Sequence, residues 1–363
     1  MRIVVAPDKF RSTLSAPAAA RAMAEGVARA DHSIRCDICP LADGGEGSAE
    51  VMLRQLGGTR RDLTVVGPDG RPTDAWFALL PDGRAVVEMA LASGLDLIER
   101  PAPLRASSIG TGELIAAAMG SAREVIVFVG GSASTDGGTG AARAMGWRFT
   151  DDDGHDLDPG GGSLARLAGV TRGRRFDEKV IGACDVPNPL LGLEGAARVF
   201  GPQKGASERE VEALEAGVER LAVVVREELG VQVAEIRHGG AGGGMGAGLV
   251  AFFGATLTSG FDLIAGAVGF DDLLDRADLV VTGEGRLDET SFRGKVVAGV
   301  LDRAGRAKTK CIAVVGSSSI SSESALERGL HRVVTSGGAD RGDPFEALVR
   351  ATEAAVMAEL AAM

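Results

Sequence analysis

Short apolar runs alternate with amphipathic stretches at both ends of this chain, and the middle breaks that rhythm. Residues 2–6 form an apolar run closed by Pro7-Asp8, which predicts a first strand. Ser15-Ala16-Pro17 then opens a helix whose apolar positions run to Val27, with Ser15 at the N-cap and Pro17 in the first turn. A loop at 31–33 precedes a strand over 34–41, and a helix over 46–56 ends at Gly57-Gly58. After Arg61 the runs 63–66, 73–80 and 85–89 are separated by Gly67-Pro68-Asp69-Gly70 and Pro81-Asp82-Gly83. Asp-Gly turns between such runs predict an antiparallel meander. A helix over 112–119, a strand over 125–129 and a helix near 138–145 follow, then an acidic, Gly-rich loop at 151–162. Beyond a strand at 180–184, residues 207–229 form a long amphipathic helix, capped by Ser207, with Glu208 and Glu210 in its first turn and Gly230 at its end. From about 255 the alternation resumes: strands at 279–281, 311–315 and 331–334, helices at 295–304 and 344–362. Two parallel strands at the start and three at the end predict one five-stranded doubly wound sheet. Its domain comprises 1–62 and 255–363, and 63–254 is an inserted α/β domain.

Composition narrows the function classes. A chain of 363 residues with 45% apolar residues has material for two cores. A net charge of −11, no tyrosine and 4% aromatic residues leave neither a basic groove nor stacking platforms, which argues against nucleic acid. The 53 glycines follow no fixed period, so they mark tight packing and close-approach loops rather than low complexity. The early-charged N-terminus does not read as a secretory leader, and no apolar stretch reaches the ~18 residues of a membrane span. Four cysteines fit a reducing compartment, so a cytoplasmic location is expected. Cys36 and Cys39 have C-x-x-C spacing, but they lie in a strand-like run without a second pair, as small buried apolar residues do.

Candidate chemistry concentrates where apolar runs empty into a carboxylate among glycines. This happens at Ala42-Asp43-Gly44-Gly45-Glu46-Gly47, at Gly130-Gly131-Ser132-Ala133-Ser134-Thr135-Asp136-Gly137-Gly138 and at Thr282-Gly283-Glu284-Gly285-Arg286-Leu287-Asp288. Gly-rich strand-to-helix turns let backbone N–H groups approach an anion closely. A carboxylate in the same turn repels a phosphate unless a cation lies between them, so the pattern points to Mg²⁺-assisted phosphoryl chemistry. Each acid could instead be an ordinary cap or turn residue; three such turns in one chain favour a site. Ligands of open α/β sheets bind beyond the carboxyl ends of the strands, where Asp8, Asp43, Gly283 and Gly316 fall, and this predicts an active site in a cleft between the two domains.

Other segments add candidates of lower specificity. Asp8-Lys9-Phe10-Arg11 offers cations for a carboxylate or phosphoryl group, or else a surface turn with local ion pairs. Asp185, followed by Pro187 and Pro189, is held as a general base or metal ligand would be. Gly201-Pro202-Gln203-Lys204-Gly205 presents one lysine on a turn. Gly242, Gly244 and Ala247 fit G-x-G-x-x-A with Asp262 downstream, although no clean strand runs into them. A P-loop, the protein-kinase signature set and a G-x-S-x-G elbow are all missing, and the four histidines lack metal spacing.

Taken together, nine segments in order resemble the class I glycerate kinase family nearly end to end. They are Ala6-Pro7-Asp8-Lys9-Phe10, Leu41-Ala42-Asp43-Gly44-Gly45-Glu46-Gly47, Gly110-Thr111-Gly112-Glu113-Leu114, Gly130-Gly131-Ser132-Ala133 and Asp136-Gly137-Gly138. Then come Cys184-Asp185-Val186-Pro187-Asn188-Pro189-Leu190, Phe200-Gly201-Pro202-Gln203-Lys204-Gly205-Ala206, Gly243-Gly244-Met245-Gly246, and Thr282-Gly283-Glu284-Gly285-Arg286-Leu287-Asp288 with Gly294-Lys295. The resemblance implies a flavodoxin-like domain interrupted by a second α/β domain, and ATP- and Mg²⁺-dependent phosphorylation of D-glycerate by direct in-line transfer, the 2-phosphate favoured.

On that reading Lys9 and Arg11 meet the carboxylate of glycerate, with Asp8 and Thr111 also at the substrate. Asp43 or Asp185 orients or deprotonates the attacking hydroxyl, and Mg²⁺ goes to whichever of Asp43, Asp185 and Glu284 is not the base. Gly130, Gly131, Ser132, Lys204, Gly283, Glu284, Gly285, Asp288 and Lys295 carry the nucleotide. The partners are small molecules, with neither nucleic acid nor membrane, and a homodimer is left open. Arg11, Thr135 and Glu289 depart from the usual Lys, Asn and Gln, which bears on substrate preference. The rival readings are an NAD(P)-dependent dehydrogenase of a small hydroxy acid using residues 242–247, and a non-catalytic organic-acid sensor.

Overall fold

The computed structural model describes residues 1–10, 13–184, 186–292, 294–337 and 342–362. The chain divides into two compact units, one formed by Met1–Asp43 with Phe261–Met363 and the other by Gly44–Gly260.

In the first unit, Arg2–Val5, Arg35–Ile38, Leu279–Thr282, Lys310–Val315 and Arg332–Thr335 form one parallel sheet. In chain order these are strands one to five, and across the sheet they run 5-4-3-1-2, the flavodoxin-like order read from its far edge. Ile3, Val5, Val281, Ile312 and Val314 are sealed in the core, because crossover helices cover a parallel sheet and leave it no wet face. Helices Ala16–Ala30 and Pro344–Leu360 pack together over that core. Gly26 sets their approach, since a Cβ there would lie 2.5 Å from the Val349 carbonyl oxygen. Ser15 occupies the N-cap of the first helix, as its sequence predicts, but its hydroxyl makes no capping bond.

Helix Val296–Ala307 ends on Lys308, one of two described non-glycine residues with positive φ, at 58°. Left-handed backbone costs an L-residue with a Cβ roughly 1–2 kcal/mol, and glycine recovers most of that while losing some chain entropy. Lys308→Gly is therefore expected to stabilise this unit by about 0.5–1 kcal/mol, read as a rise in the denaturation midpoint at unchanged slope. A fall in the midpoint would contradict this account of the helix end.

The second unit holds a six-stranded mixed sheet. Its order is Thr256–Ser259, Lys179–Cys184, Glu124–Phe128, Arg84–Glu88, Pro72–Leu79 and Thr59–Val66. The first four are parallel, and the last two continue as the antiparallel meander that the Asp-Gly turns predict. The division between units falls at 43/44 and 260/261, where the alternation of apolar runs predicts 62/63 and 254/255. Two packing choices account for the shift. Helix Ser48–Leu56 packs on the Pro72–Leu79 and Arg84–Glu88 strands, and Thr256–Ser259 adds to the sheet beside Lys179–Cys184. Helix Glu208–Leu229 starts with a complete capping box, in which Ser207 Oγ accepts from the Glu210 amide and Glu210 accepts from the Ser207 amide, and it ends on left-handed Gly230.

Helix Ala241–Phe253 opens irregularly, with Gly242, Gly243 and Gly244 all in left-handed backbone. A Cβ on Gly243 would come within 2.0 Å of the Ser134 carbonyl oxygen, so close packing of one loop on another requires these glycines. No strand runs into them, and the G-x-G-x-x-A match lacks the strand–turn–helix context of a dinucleotide site. No helix among the described residues is long and apolar enough to cross a membrane.

Candidate active site

In the first unit the candidate residues gather where the strand order reverses. Strands Arg2–Val5 and Leu279–Thr282 lie side by side, and their chain continuations stay stitched: the Ala6 amide donates to Val281 O and the Asp8 amide to Gly283 O, each at 2.8 Å. Gly283 must be a glycine, because a Cβ there would meet the Val314 carbonyl oxygen at 1.9 Å. This brings Asp8 and Glu284 to one place at the carboxyl ends of the sheet, the usual ligand position of such folds.

Asp8 and Glu284 are both buried, and Asp43 is half-buried. Burial, followed by the charge of Asp43, holds the Asp8 carboxyl well above the usual carboxylate range, even though the Lys9 amide donates to its Oδ1 at 2.7 Å. Burial likewise raises Glu284, against a hydrogen bond from Ser291 and the charge of Lys295. Glu284 Oε1 is sealed from solvent and finds no partner among the described residues. The charge of Asp43 helps to raise both Asp8 and Glu284, and the orphaned Glu284 oxygen is a hard donor of the kind a divalent cation prefers, although among the described residues the one group of acids and histidines whose ligand atoms converge is Asp151, Asp153 and His155. By donor chemistry alone, these carboxylate oxygens are of the type that suits Mg²⁺.

The neighbouring turn is tightly built. Asp288 accepts from the Thr290 amide and hydroxyl at 2.8 and 2.6 Å, which lowers its acidity range below the usual one, and its own amide donates to Ser291 Oγ. Lys295 Nζ donates to Thr290 Oγ1 at 2.6 Å. Glu289, where the resemblance leads one to expect Gln, is paired with Arg328 at 2.8 Å, so its extra charge is met locally.

In the second unit a separate set of glycine turns comes together. The Gly130 amide donates to Gly44 O, and a Cβ on Gly130 would sit 2.5 Å from Gly45 Cα, so two of the Gly-rich turns touch backbone to backbone. Glu88 stabilises the first of them: its two oxygens accept from the Gly47 and Ala49 amides at 2.9 and 3.0 Å, at the start of helix Ser48–Leu56. Glu88 stands outside the glycine turns and is not conspicuous in the sequence. The signal was there, since an acid following the buried run 85–87 repeats the strand-then-carboxylate pattern of the other turns. Gly131 is exposed and left-handed, with φ of 74°, while Ser132 beside it is buried. Exposed left-handed glycine beside a hydroxyl and nearby amides suits an anion.

Three expectations are corrected here. Thr111, expected at the substrate, is fully buried in helix Ile109–Met119 and donates its hydroxyl to Ser93 at 2.8 Å, so it has no surface to offer. Lys204, expected to be presented by its turn to the nucleotide, is 3% exposed, and its ammonium donates inward to Ser132 Oγ and Ser134 O. Asp136, the acid of the second turn, faces the core: it accepts from the Ser108 amide at 2.8 Å and from the Gly138 and Gly140 amides at 3.2 Å. It ties two helix starts together and cannot reach a ligand. Arg11 and Asp185 lie outside the described residues. His238 is buried in left-handed backbone, with Nδ1 2.8 Å from Val186 O, and serves as a structural post.

Comparison with known proteins identifies the family. The model of the glycerate kinase family matches residues 3–361. The chain is 38% identical over 356 residues to glycerate kinase of Bacillus subtilis (strain 168), covering 95% of this chain and 93% of that protein. It is 41% identical over 325 residues to glycerate 2-kinase of Escherichia coli (strain K12), covering 87% and 85%. A crystal structure from Salmonella typhimurium LT2, assigned to glycerate kinase 2, superposes with a TM-score of 0.86 at 38% identity, over 100% of this chain and 98% of that one. With carboxylates and glycine turns at the ends of a flavodoxin-like sheet, and matches of this length, the chain belongs to the glycerate kinase family.

Proposed function

We propose that the protein transfers the γ-phosphoryl group of ATP to a hydroxyl of D-glycerate by direct in-line displacement, the 2-position being favoured. The observation that carries this reading is the set Asp8, Asp43 and Glu284 beside Lys9 and Lys295 at the carboxyl ends of a parallel sheet. Mg²⁺ would be held by Glu284 and by whichever of Asp43 and Asp185 does not serve as the base, and the ion when bound neutralises charge on the transferring phosphate. The chain's own groups do the rest. Lys9 binds and orients the carboxylate of glycerate. Asp43 or Asp185 aligns the attacking hydroxyl and receives its proton. In the first unit Gly283, Gly285 and Lys295 serve nucleotide phosphates, and in the second unit Gly130, Gly131 and Ser132 form a phosphate-binding loop. Catalysis of this kind is mostly positioning and charge neutralisation. Four free thiols support the cytoplasm as its compartment.

A phosphorus NMR time course with purified protein, ATP, Mg²⁺ and D-glycerate tests the reading. The expected result is a growing phosphomonoester signal, absent without D-glycerate, whose proton coupling identifies the 2-phosphate. Intact ATP, or free phosphate alone, would overturn the assignment and favour the non-catalytic organic-acid sensor.

A further inference from the structure

We infer that Lys204 is a positioning residue for nucleotide binding: by donating to Ser132 Oγ from inside the protein, it turns the Ser132 hydroxyl outward as a donor to a phosphate oxygen. This rests on the reading of residues 130–132 as a phosphate-binding loop. The ammonium lies 2.8 Å from Ser132 Oγ and 2.5 Å from the Ser134 carbonyl oxygen, so it grips the loop on both sides of Ala133. A serine oxygen that accepts from an ammonium directs its own proton elsewhere, and that O–H becomes a polarised donor. Next to it, exposed Gly131 carries no side chain to cover the hydroxyl.

The surroundings are built to admit Lys204 rather than to neutralise it. A Cβ on Gly243 would lie 2.8 Å from Nζ, so the left-handed glycine leaves the room the ammonium occupies. The charged group whose field reaches Lys204 is Asp136, and its oxygens are already engaged by the Ser108, Gly138 and Gly140 amides. Burial therefore dominates and pushes the lysine down to about 7. The sign follows. Below about 7 the ammonium is charged and polarises Ser132 most strongly; as pH rises through that value the grip weakens. Stability runs the other way. An unfolded lysine titrates near 10.5, so the cost of burying the charge is full below about 7 and fades as pH climbs toward 10.5.

The experiment uses full-length enzyme and the variants Lys204→Met, Ser132→Ala and the double variant, with KM for ATP and kcat followed from pH 6 to 9. Each single variant is expected to raise KM for ATP by about tenfold, with a smaller change in kcat, and the double variant to be no worse than either single one. The wild-type KM for ATP should rise through an inflection near 7 that both variants lack, which separates this effect from the titration of ATP itself. If Ser132→Ala raises KM while Lys204→Met leaves it unchanged, or if the two effects multiply, the positioning role falls and the phosphate-loop reading stands. If Ser132→Ala leaves KM for ATP unchanged, the phosphate-loop reading falls as well. Should Lys204→Met not fold, the pH profile of Ser132→Ala decides: retention of the inflection near 7 overturns the inference, and its loss supports it.

Discussion

Asp43→Asn is expected to lower kcat by about 10³-fold while the protein remains folded. The substitution keeps size and shape and removes only the charge. Both proposed roles need that charge, since a neutral amide neither accepts the proton of the attacking hydroxyl nor binds a hard cation well. Loss of the charge also relieves Asp8, which the carboxylate of Asp43 pushes up, so the fold is not expected to suffer. Far-UV circular dichroism and steady-state kinetics on the same preparation check both halves. Titration with Mg²⁺ then separates the roles: partial recovery at high Mg²⁺ identifies a ligand, and none identifies the base. Near-normal turnover would remove Asp43 from the mechanism altogether.

The second large effect is on stability. Asp136→Ala is expected to destabilise the second unit by about 3–5 kcal/mol. The fully buried carboxylate accepts from the backbone amides of Ser108, Gly138 and Gly140 and from the Ser108 hydroxyl. Those donors belong to the starts of helices Ile109–Met119 and Thr139–Ala144, and truncation strands them without water. An orphaned buried donor costs roughly 1–3 kcal/mol, and partial relaxation keeps the total below the simple sum. Asp136→Asn, which preserves volume but turns an N–H toward N–H donors, should fall between wild type and Ala. Urea denaturation, monitored through the two tryptophans, both of which lie in this unit, reads the difference. A loss below about 1 kcal/mol would mean that the helix starts do not depend on this acid.

Much of the architecture is legible along the chain because its signals are local. The five parallel strands of the first unit come from short apolar runs, the meander from Asp69-Gly70 and Asp82-Gly83, and the long helix from Ser207, Glu210 and Gly230. The acidic glycine turns are equally plain in the sequence, since a turn is chosen by the residues within it. Less visible was the company each element keeps. Helix Ser48–Leu56 follows a parallel strand, as the first unit's helices do, yet it packs on the meander. Its apolar face fits either sheet, and only the arrangement of the folded chain selects one.

The candidate site divides along the same line. Residue type and spacing show by themselves that Asp8, Asp43 and Glu284 follow strands of the first unit, although the strand before Asp43 stops at Ile38 rather than at Leu41, and the alternation of elements places those strand ends on one side of a parallel sheet. The direction in which a side chain points is settled by partners distant in sequence. Lys204 grips a serine 72 positions away, Asp136 serves a helix start 28 positions earlier, and Thr111 bonds to a serine 18 positions back. A lysine in a glycine turn and an acid after a strand look alike whether they face solvent or core. Burial depends on which surfaces the tertiary fold brings together, and a polar group enters the core only where that fold supplies its hydrogen bonds.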